Sequence, residues 1–299
     1  MKPKKNKLKK LTPYLYLMPS TIIMVLMLGF PIAYNIGMSF FNGSLYDEHK
    51  TFIKLQNYIS VITDSKFIHI ISTTVIWTVF GVVLQMLIGI GLALFVDRLK
   101  KGKTFMRTIL LIPWIIPGVV TALMWKWILL ADIGIINYIL KTIGLTDKNI
   151  LFISDPKMAL LTLILINVWK ATPFWFLMIT AKLQDKPMDQ IESATVDGAR
   201  YFHVLRYIIL PHLSPAIAST GVLTTIWTLN YFDLIWLVTK GGPMDATSTL
   251  PVYTYRLAFE MNDFGRSGAM AVISLILVSL VCIPYVKKMF SNLKDEGVL

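Results

Sequence analysis

Residues Asp189–Pro211 have the sequence DQIESATVDGARYFHVLRYIILP and separate two long apolar segments of the chain. Ile191, Ala194 and Gly198 recur at positions i, i+3 and i+7 of this stretch. That spacing places small apolar residues on one face of a helix with 3.6 residues per turn. The stretch therefore predicts a short amphipathic helix between two segments that can each span a membrane.

The ends of this short helix are marked by charge and by glycine. Asp189 and Glu192 lie in its first turn, where the helix dipole favours negative charge. Gly198 can adopt the left-handed conformation that ends a helix without a steric penalty. A second helix is expected from Ala199 toward Pro211, where a membrane span begins. The segment is thus predicted to form a helix-turn-helix that projects from a membrane.

The composition of the chain is typical of a membrane protein. Of its 299 residues, 55% are hydrophobic and 15% are charged, and the mean hydropathy is +0.64. The apolar residues come in blocks near or above the roughly 20 residues that an α-helix needs to cross a bilayer. Pro19 and Pro31 are expected to kink the first of these blocks. We predict an all-α polytopic membrane protein with six transmembrane helices, at residues 13–41, 67–96, 108–130, 157–181, 211–238 and 268–286.

The basic residues indicate how these spans are oriented. The net charge is +12, and with the N-terminus inside, 18 Lys and Arg residues lie on the cytoplasmic side and 9 lie outside. This bias follows the positive-inside rule, so both termini and the loop 183–210 are expected in the cytoplasm. The lysine-rich N-terminus has no interleaved aromatic residues. It is therefore expected to contact anionic membrane lipid, and no nucleic-acid partner is expected.

The loop carries a resemblance to a known family. Its matching positions fall at the spacing of the "EAA" loop in permease subunits of binding-protein-dependent ABC importers: Glu192, Ala194, Gly198 and the pair Leu210–Pro211. Ser193 departs from the pattern, since the family usually has alanine there. In that family the loop is a coupling helix that docks into a groove of a cytoplasmic ATPase. The resemblance implies a set of ATPase-coupling residues: Glu192, Ser193, Ala194, Asp197, Gly198 and Pro211.

A second resemblance, far from the loop, narrows the class to permeases of carbohydrate importers. It rests on Phe52, Asn57-Tyr58, Asp64, Phe67, Gly241-Gly242-Pro243, the run Tyr253 to Phe259 and the run Phe264 to Ala271. The implied architecture is the type I ABC importer permease fold, in three parts. Residues 1–66 hold a basic tail, the first span and an external loop. Residues 67–290 form a permease core with five spans and the coupling loop 183–210, and residues 291–299 form a cytoplasmic tail.

The chain has no ATP-binding signature of its own. Gly102-Lys103-Thr104 matches the end of a phosphate-binding loop, but Asp97 stands where its first glycine should be. We therefore expect a transport subunit that is not an enzyme and binds no cofactor. The resemblance implies that ATP and Mg²⁺ bind to two partner ATPase subunits. It also implies a second homologous permease subunit in a heterodimer and an extracellular solute-binding protein.

Polar and aromatic residues inside the predicted spans are candidates for the substrate pathway, because such side chains are costly in a bilayer. Aromatic faces can stack on sugar rings, and amides and carboxylates can bind hydroxyl groups. The candidates are Asn167, Lys170, Trp227, Asn230, Tyr231 and Asp233. Packing between helices or a position in the interfacial aromatic belt would also explain most of them. Lys170 could instead pair with a backbone carbonyl or with a carboxylate of a neighbouring helix.

Two functional hypotheses remain open from the sequence. The first is a permease subunit that imports a sugar, with an oligosaccharide expected before a monosaccharide or a glycerol-phosphate compound. The second is an ion-coupled secondary transporter of a small polar solute. The latter needs carboxylates or histidines inside the membrane, and apart from Asp233 the predicted spans contain almost none.

Overall fold

The computed structural model describes residues 7–44 and 50–295, so Lys2, Lys4, Lys5 and the last four residues of the predicted tail lie outside the described residues. The described chain is predominantly helical. The helices before the loop are α1 (Lys7–Met24), α2 (Phe30–Met38), α3 (Gln56–Ile62), α4 (Phe67–Arg98), α5 (Lys103–Ile115), α6 (Gly118–Ile128), α7 (Ile135–Thr142) and α8 (Pro156–Lys182). Those of the loop and beyond are α9 (Met188–Val196), α10 (Tyr201–Val204), α11 (Leu210–Leu229), α12 (Phe232–Thr239), α13 (Leu250–Tyr255) and α14 (Phe264–Asp295).

The chain divides into two compact units. One comprises residues 1–64 and 254–273, and the other comprises residues 65–253 and 274–299.

The first unit joins the external loop to the start of α14. Two short antiparallel strands, β1 (Phe41–Asn42) and β2 (Thr51–Phe52), are followed by α3. The buried Asn57 side chain donates hydrogen bonds to the Ser39 and Phe41 carbonyls, both at 2.9 Å. Gly265 lies against this amide, and a Cβ added there would approach Asn57 Nδ2 to 2.7 Å. Two stretches that carry the sequence resemblance therefore contact each other.

Two of the prolines are accommodated by π-helical turns. Val25–Gly29 is a π-helical turn directly before Phe30-Pro31, and Leu205–Ile209 is another directly before Leu210-Pro211. Proline lacks an N–H donor and clashes with the carbonyl four residues earlier, and a widened turn relieves both problems. The helical backbone consequently runs on from Tyr201 through Pro211 to Leu229. No helix boundary therefore lies at Pro211, and the start of the membrane span at this residue stays a prediction.

The second unit is built on α4 and α8, which run parallel to each other, since Gly81 of α4 lies near Asn167 of α8 and Gly89 lies near Trp175. Gly89 of α4 lies against the backbone of α8, so close that a Cβ there would collide with Trp175 Cβ. Nearer the start of α4, the buried Trp77 indole donates a hydrogen bond to the Thr228 carbonyl of α11 at 2.8 Å. Because Gly89 has no side chain, α4 and α8 approach each other closely. The hydrogen bond from Trp77 connects α11 to this pair.

The predicted third span is broken. Its two halves, α5 and α6, meet at an angle of 91° at Ile116–Pro117. The residue before a proline is forced out of the helical conformation, and Ile116 is extended with φ −63° and ψ 129°. Pro113 lies one turn earlier and also lacks an N–H. Carbonyl groups at the end of α5 are therefore left without helical partners.

The predicted fifth span also contains a break. α11 ends at Leu229, and Asn230 and Tyr231 separate it from α12. Trp227 and Tyr231 therefore do not lie on one continuous helix.

Among the described residues, four helical segments are long and apolar enough to cross a membrane: Thr12–Met38, Phe67–Arg98, Pro156–Asp185 and Tyr201–Thr239. The bent pair α5 and α6 makes a fifth if it is taken as one span. The apolar stretch Phe264–Leu280 of α14 is shorter. The count of six spans stays a prediction.

Candidate functional site: a helical hairpin and an aromatic row

The helix predicted in the loop is α9, and Gly198 ends it as predicted. Gly198 has a φ of +83°. The Ala199 N–H donates to the Ala194 carbonyl at 2.9 Å, and the Gly198 N–H donates to the Thr195 carbonyl at 3.0 Å. These two bonds form the Schellman motif, in which a left-handed residue reverses the chain after a helix. We call residues 188–204, which contain α9, this turn and α10, the helical hairpin.

The two faces of α9 differ in exposure. Ile191 and Ala194 are half-buried against an apolar cluster that contains Leu213 of α11. Three predicted coupling residues are exposed: Glu192, Ser193 and Asp197. Pro211 and Gly198 are exposed as well. Of the predicted apolar strip, Ile191 and Ala194 therefore pack on the rest of the chain and Gly198 does not, and the polar face of α9 is left accessible.

Two apolar residues of the helical hairpin are exposed and were missed in the sequence. Val196 is 88% exposed and Phe202 is 78% exposed. Val196 lies off the helix face formed by Ile191 and Ala194. An apolar residue outside the predicted buried face was the signal in the sequence that could have revealed this exposed position. Accessible apolar groups beside charged ones are a common feature of protein interaction surfaces.

The helical hairpin is attached to the end of α4 on both flanks. Before α9, Lys186 Nζ lies 2.6 Å from Asp97 Oδ2. At the start of α10, the Arg98 guanidinium carbon lies 3.2 Å from the centroid of the Tyr201 ring. In the sequence, Arg98 and Lys186 counted only toward the charge bias that sets the topology. The structure shows that each of them has a specific partner.

Three aromatic rings from three helices form a row in the second unit. The Trp114 and Phe174 ring centroids are 5.9 Å apart, and those of Phe174 and Trp227 are 4.9 Å apart. Trp114 is 44% exposed and Trp227 is 50% exposed, so the row presents ring surface. Tyr231 follows Trp227 by four residues, and a Cβ on Gly118 would be 3.4 Å from its hydroxyl oxygen. We call Trp114, Phe174 and Trp227 the aromatic row.

Lys170 caps the broken helix beside this row. Its ammonium group donates hydrogen bonds to the carbonyls of Pro113, at 3.1 Å, of Trp114, at 3.3 Å, and of Ile116. These are carbonyls that the break between α5 and α6 leaves without helical partners. Pairing with backbone carbonyls, one of the alternatives drawn from the sequence, is what the structure shows. The bond to Trp114 also connects Lys170 to the aromatic row.

The other pathway candidates lie in different environments. Asn167 is only 2% exposed and lies near Gly81, where a Cβ would be 3.3 Å from its Nδ2. Asn230 is exposed, and its amide donates to the Ile226 carbonyl at 2.9 Å. Asp233 is exposed in the first turn of α12. Of the six candidates, Trp227 belongs to the row and Lys170 contacts it through the Trp114 carbonyl, whereas Asn167 is buried between helices.

Comparison with known proteins assigns the chain to a family. Residues 85–289 match the family described as "binding-protein-dependent transport system inner membrane component". The chain belongs to this family. The matched range contains the helical hairpin and the aromatic row. The permease prediction is therefore confirmed, and the family does not support the ion-coupled alternative.

The relatives of this permease match it over nearly its full length. A probable ABC transporter permease protein of Sinorhizobium fredii is 35% identical, and the match covers 92% of this chain and 89% of the relative. The trehalose/maltose transport system permease protein MalF of Thermococcus litoralis is 30% identical, with 92% of each chain covered.

The fold of the permease is that of a solved importer subunit. The crystal structure of a bacterial ABC transporter involved in the import of the acidic polysaccharide alginate superposes with a TM-score of 0.81. The superposition covers 95% of this chain and 97% of that chain, at 22% sequence identity. The predicted type I ABC importer permease fold is confirmed.

Proposed function

We propose that this permease forms half of the membrane channel of an ATP-driven importer of a sugar, with an oligosaccharide as the expected substrate. The other half would be a second, homologous permease subunit in a heterodimer. Two ATPase subunits would bind ATP and Mg²⁺ on the cytoplasmic side, and an extracellular solute-binding protein would deliver the substrate. Both termini of this chain would lie in the cytoplasm.

The observation that carries the proposal is the exposed polar face of α9. Glu192, Ser193 and Asp197 are accessible on it, while Ile191 and Ala194 fix the same helix to the membrane core. An element with one face held by its own chain and another left open is suited to receive a partner. A carboxylate such as Glu192 can accept a charge-assisted hydrogen bond from a basic residue of the ATPase.

In this proposal the helical hairpin converts ATPase closure into movement of the membrane helices. ATP binding would draw the two ATPase subunits together and carry the attached hairpins with them. Because Ile191 and Ala194 pack against the cluster that contains Leu213, a displacement of α9 would be passed to α11. α11 carries Trp227, so the movement would reach the aromatic row.

The sugar specificity is supported by the aromatic row and by the name of the trehalose/maltose relative. Aromatic rings offer a large apolar face, on which the C–H bonds of a sugar ring can stack. The aromatic row places three such rings one after another in space, those of Trp114, Phe174 and Trp227. The row is long enough to contact more than one sugar unit.

The proposal is tested by isolating the permease from its host membranes and identifying the copurifying proteins by mass spectrometry. We expect one further permease, one kind of ATPase subunit and one solute-binding protein. The copurified binding protein would then be titrated with disaccharides to tetrasaccharides, a monosaccharide and glycerol phosphate. Isolation of the permease without any ATPase would contradict the proposal. Tight binding of glycerol phosphate alone would contradict the claim that the substrate is a sugar.

The orientation is tested with single cysteines at Lys148 and Lys186 after Cys282 has been replaced. These positions flank opposite ends of α8, whose 27 residues extend for about 40 Å. In intact cells we expect a membrane-impermeant maleimide to label position 148 and to leave position 186 unlabelled. Labelling of position 186 alone would reverse the orientation and remove the helical hairpin from the ATPase side.

The pathway is tested with Trp227→Ala and Tyr231→Ala. Loss of a stacking face is expected to lower uptake by about two- to tenfold, since an aromatic contact contributes about 0.5–1.5 kcal/mol. Copurification of the ATPase should be unaffected, because neither residue belongs to the helical hairpin. Trp127→Ala is the matched control, since Trp127 is 64% exposed and lies outside the aromatic row. Normal uptake by both variants at limiting substrate would show that these rings serve packing only.

A further inference from the structure

The end of α4 presents two consecutive charged residues to the helical hairpin. Asp97 pairs with Lys186, which lies two residues before α9. Arg98 stacks on Tyr201, which begins α10 three residues after Gly198. The two contacts therefore hold the hairpin before its first helix and after its turn, and they leave the exposed face of α9 free.

The ion pair is of a kind that resists screening by water and salt. The Lys186 and Asp97 side chains are only 24% and 26% exposed, and their charged atoms are 2.6 Å apart. Partly buried pairs are screened much less than fully exposed ones. The Arg98 guanidinium lies well within the distance at which a cation is attracted by an aromatic face.

The α4 end is itself held in place. Lys103 Nζ donates a hydrogen bond to the Asp97 carbonyl at 2.7 Å, which satisfies one of the carbonyl groups at the end of the helix. α4 also packs tightly on α8 at Gly89. The hairpin is thus attached to a closely packed part of the second unit.

We infer that Asp97 and Arg98 are positioning residues for ATPase coupling: together they clamp the two flanks of the helical hairpin to α4. Without the clamp, movement of the ATPase would pass only to α11, through the packing of Ile191 and Ala194 and through the helical backbone that continues from Tyr201. With it, a displacement of the hairpin is also passed to α4, the helix that packs on α8. This inference rests on the proposed function, since it assigns the clamp a role in that same coupling site.

The test exchanges the charges of the ion pair in the full complex, with Asp97→Lys, Lys186→Asp and the double variant that carries both changes. Hydrogen exchange of the Met188–Val196 amides measures the clamp directly, and the amount of ATPase retained through purification measures coupling. We expect each single variant to accelerate exchange by about fivefold or more, the factor that loss of a partly buried pair produces. Each should also retain less ATPase. The double variant should restore both quantities to the wild-type values.

Two controls separate the clamp from general effects of charge and packing. Lys101→Asp makes the same change of charge as Lys186→Asp at an exposed position near the end of α4, and it should leave both quantities unchanged. Tyr201→Phe keeps the ring under Arg98 and should also be neutral, whereas Tyr201→Leu should accelerate exchange.

Three results would overturn the inference: unchanged exchange in the single variants, a double variant no better than either single one, or accelerated exchange with undiminished ATPase. The last would mean that the contacts stabilise the loop without positioning it for the partner. A wild-type complex that retains no ATPase would overturn the proposed function and the inference with it. Unchanged exchange in variants of a complex that does hold its ATPase would overturn the inference alone.

Discussion

Gly198→Val is expected to reduce substrate uptake by about 5–150-fold. A strain of about 1–3 kcal/mol lowers the population of the native turn conformation by this factor. Gly198 has a φ of +83°, a conformation that a β-branched residue adopts only with strain. Apart from Gly198 and its two chain neighbours, no atom of the described structure lies within 4 Å of a Cβ added at this position. The effect is therefore expected to come from the backbone of the turn and not from a collision within the chain.

The turn at Gly198 determines how α9 and α10 are oriented relative to each other. If valine shifts the turn to a negative φ, the two hydrogen bonds of the Schellman motif are lost and the exposed face of α9 is presented differently. We expect less ATPase to copurify and less hydrolysis to be stimulated by substrate in reconstituted vesicles. Delivery of substrate by the external binding protein should be unaffected.

Two variants serve as controls for Gly198→Val. Gly102 has a φ of +78° and is also free of atoms within 4 Å of its Cβ position, but it lies outside the helical hairpin. Gly102→Val should therefore transport nearly as well as the wild type. Gly198→Asn should also remain active, because asparagine tolerates the left-handed region. Normal ATPase copurification and hydrolysis in Gly198→Val would show that this loop is only a linker.

Gly89→Ala is expected to destabilise the membrane core by about 1–3 kcal/mol or more, the usual cost of an overpacked interior. The added methyl group would collide with Trp175 Cβ and approach the Phe176 nitrogen and the Thr172 carbonyl oxygen to 3.2 Å each. Trp175 and Phe176 are fully buried, and two of the three contacted atoms belong to the backbone of α8. Neither helix can yield by turning a side chain, so the helices must move apart.

The measurement for Gly89→Ala is the yield of monodisperse protein in detergent together with its thermal midpoint. Both should fall. Gly91→Ala is the matched control on the same helix, since no atom lies within 4 Å of its Cβ position. It should be neutral or slightly stabilising, because alanine favours a helix over glycine. Equal yields and midpoints for the two variants would contradict the close approach of α4 and α8.

Features set by local chemistry were predictable from the sequence. The predicted spans 67–96 and 157–181 correspond to α4 and α8, since a long apolar run can satisfy its backbone only as a helix in a membrane. The left-handed turn at Gly198 was predicted because glycine adopts it freely. The half-buried face of Ile191 and Ala194 follows from helical spacing.

Features that depend on distant residues were not predictable in the same way. Pro113 and Pro117 were visible in the sequence, but a 91° break also requires a donor for the freed carbonyls, and Lys170 comes from another helix. The Asp97–Lys186 pair joins residues 89 positions apart. Within a basic loop, such a lysine cannot be distinguished from a topology signal. Trp114 was missed as a member of the aromatic row, because its position there depends on the break between α5 and α6.

The central claim is that the exposed face of the helical hairpin contacts an ATPase. A photo-cross-linking residue at position 196 tests it most directly, because Val196 is 88% exposed on α9. Met244 is the control position, since it is 89% exposed and precedes Asp245, which pairs with Lys66 at the other end of α4. After irradiation of native membranes, we predict a covalent product with an ATPase subunit from position 196 and none from position 244. An ATPase product from position 244, or from neither position, would contradict the account.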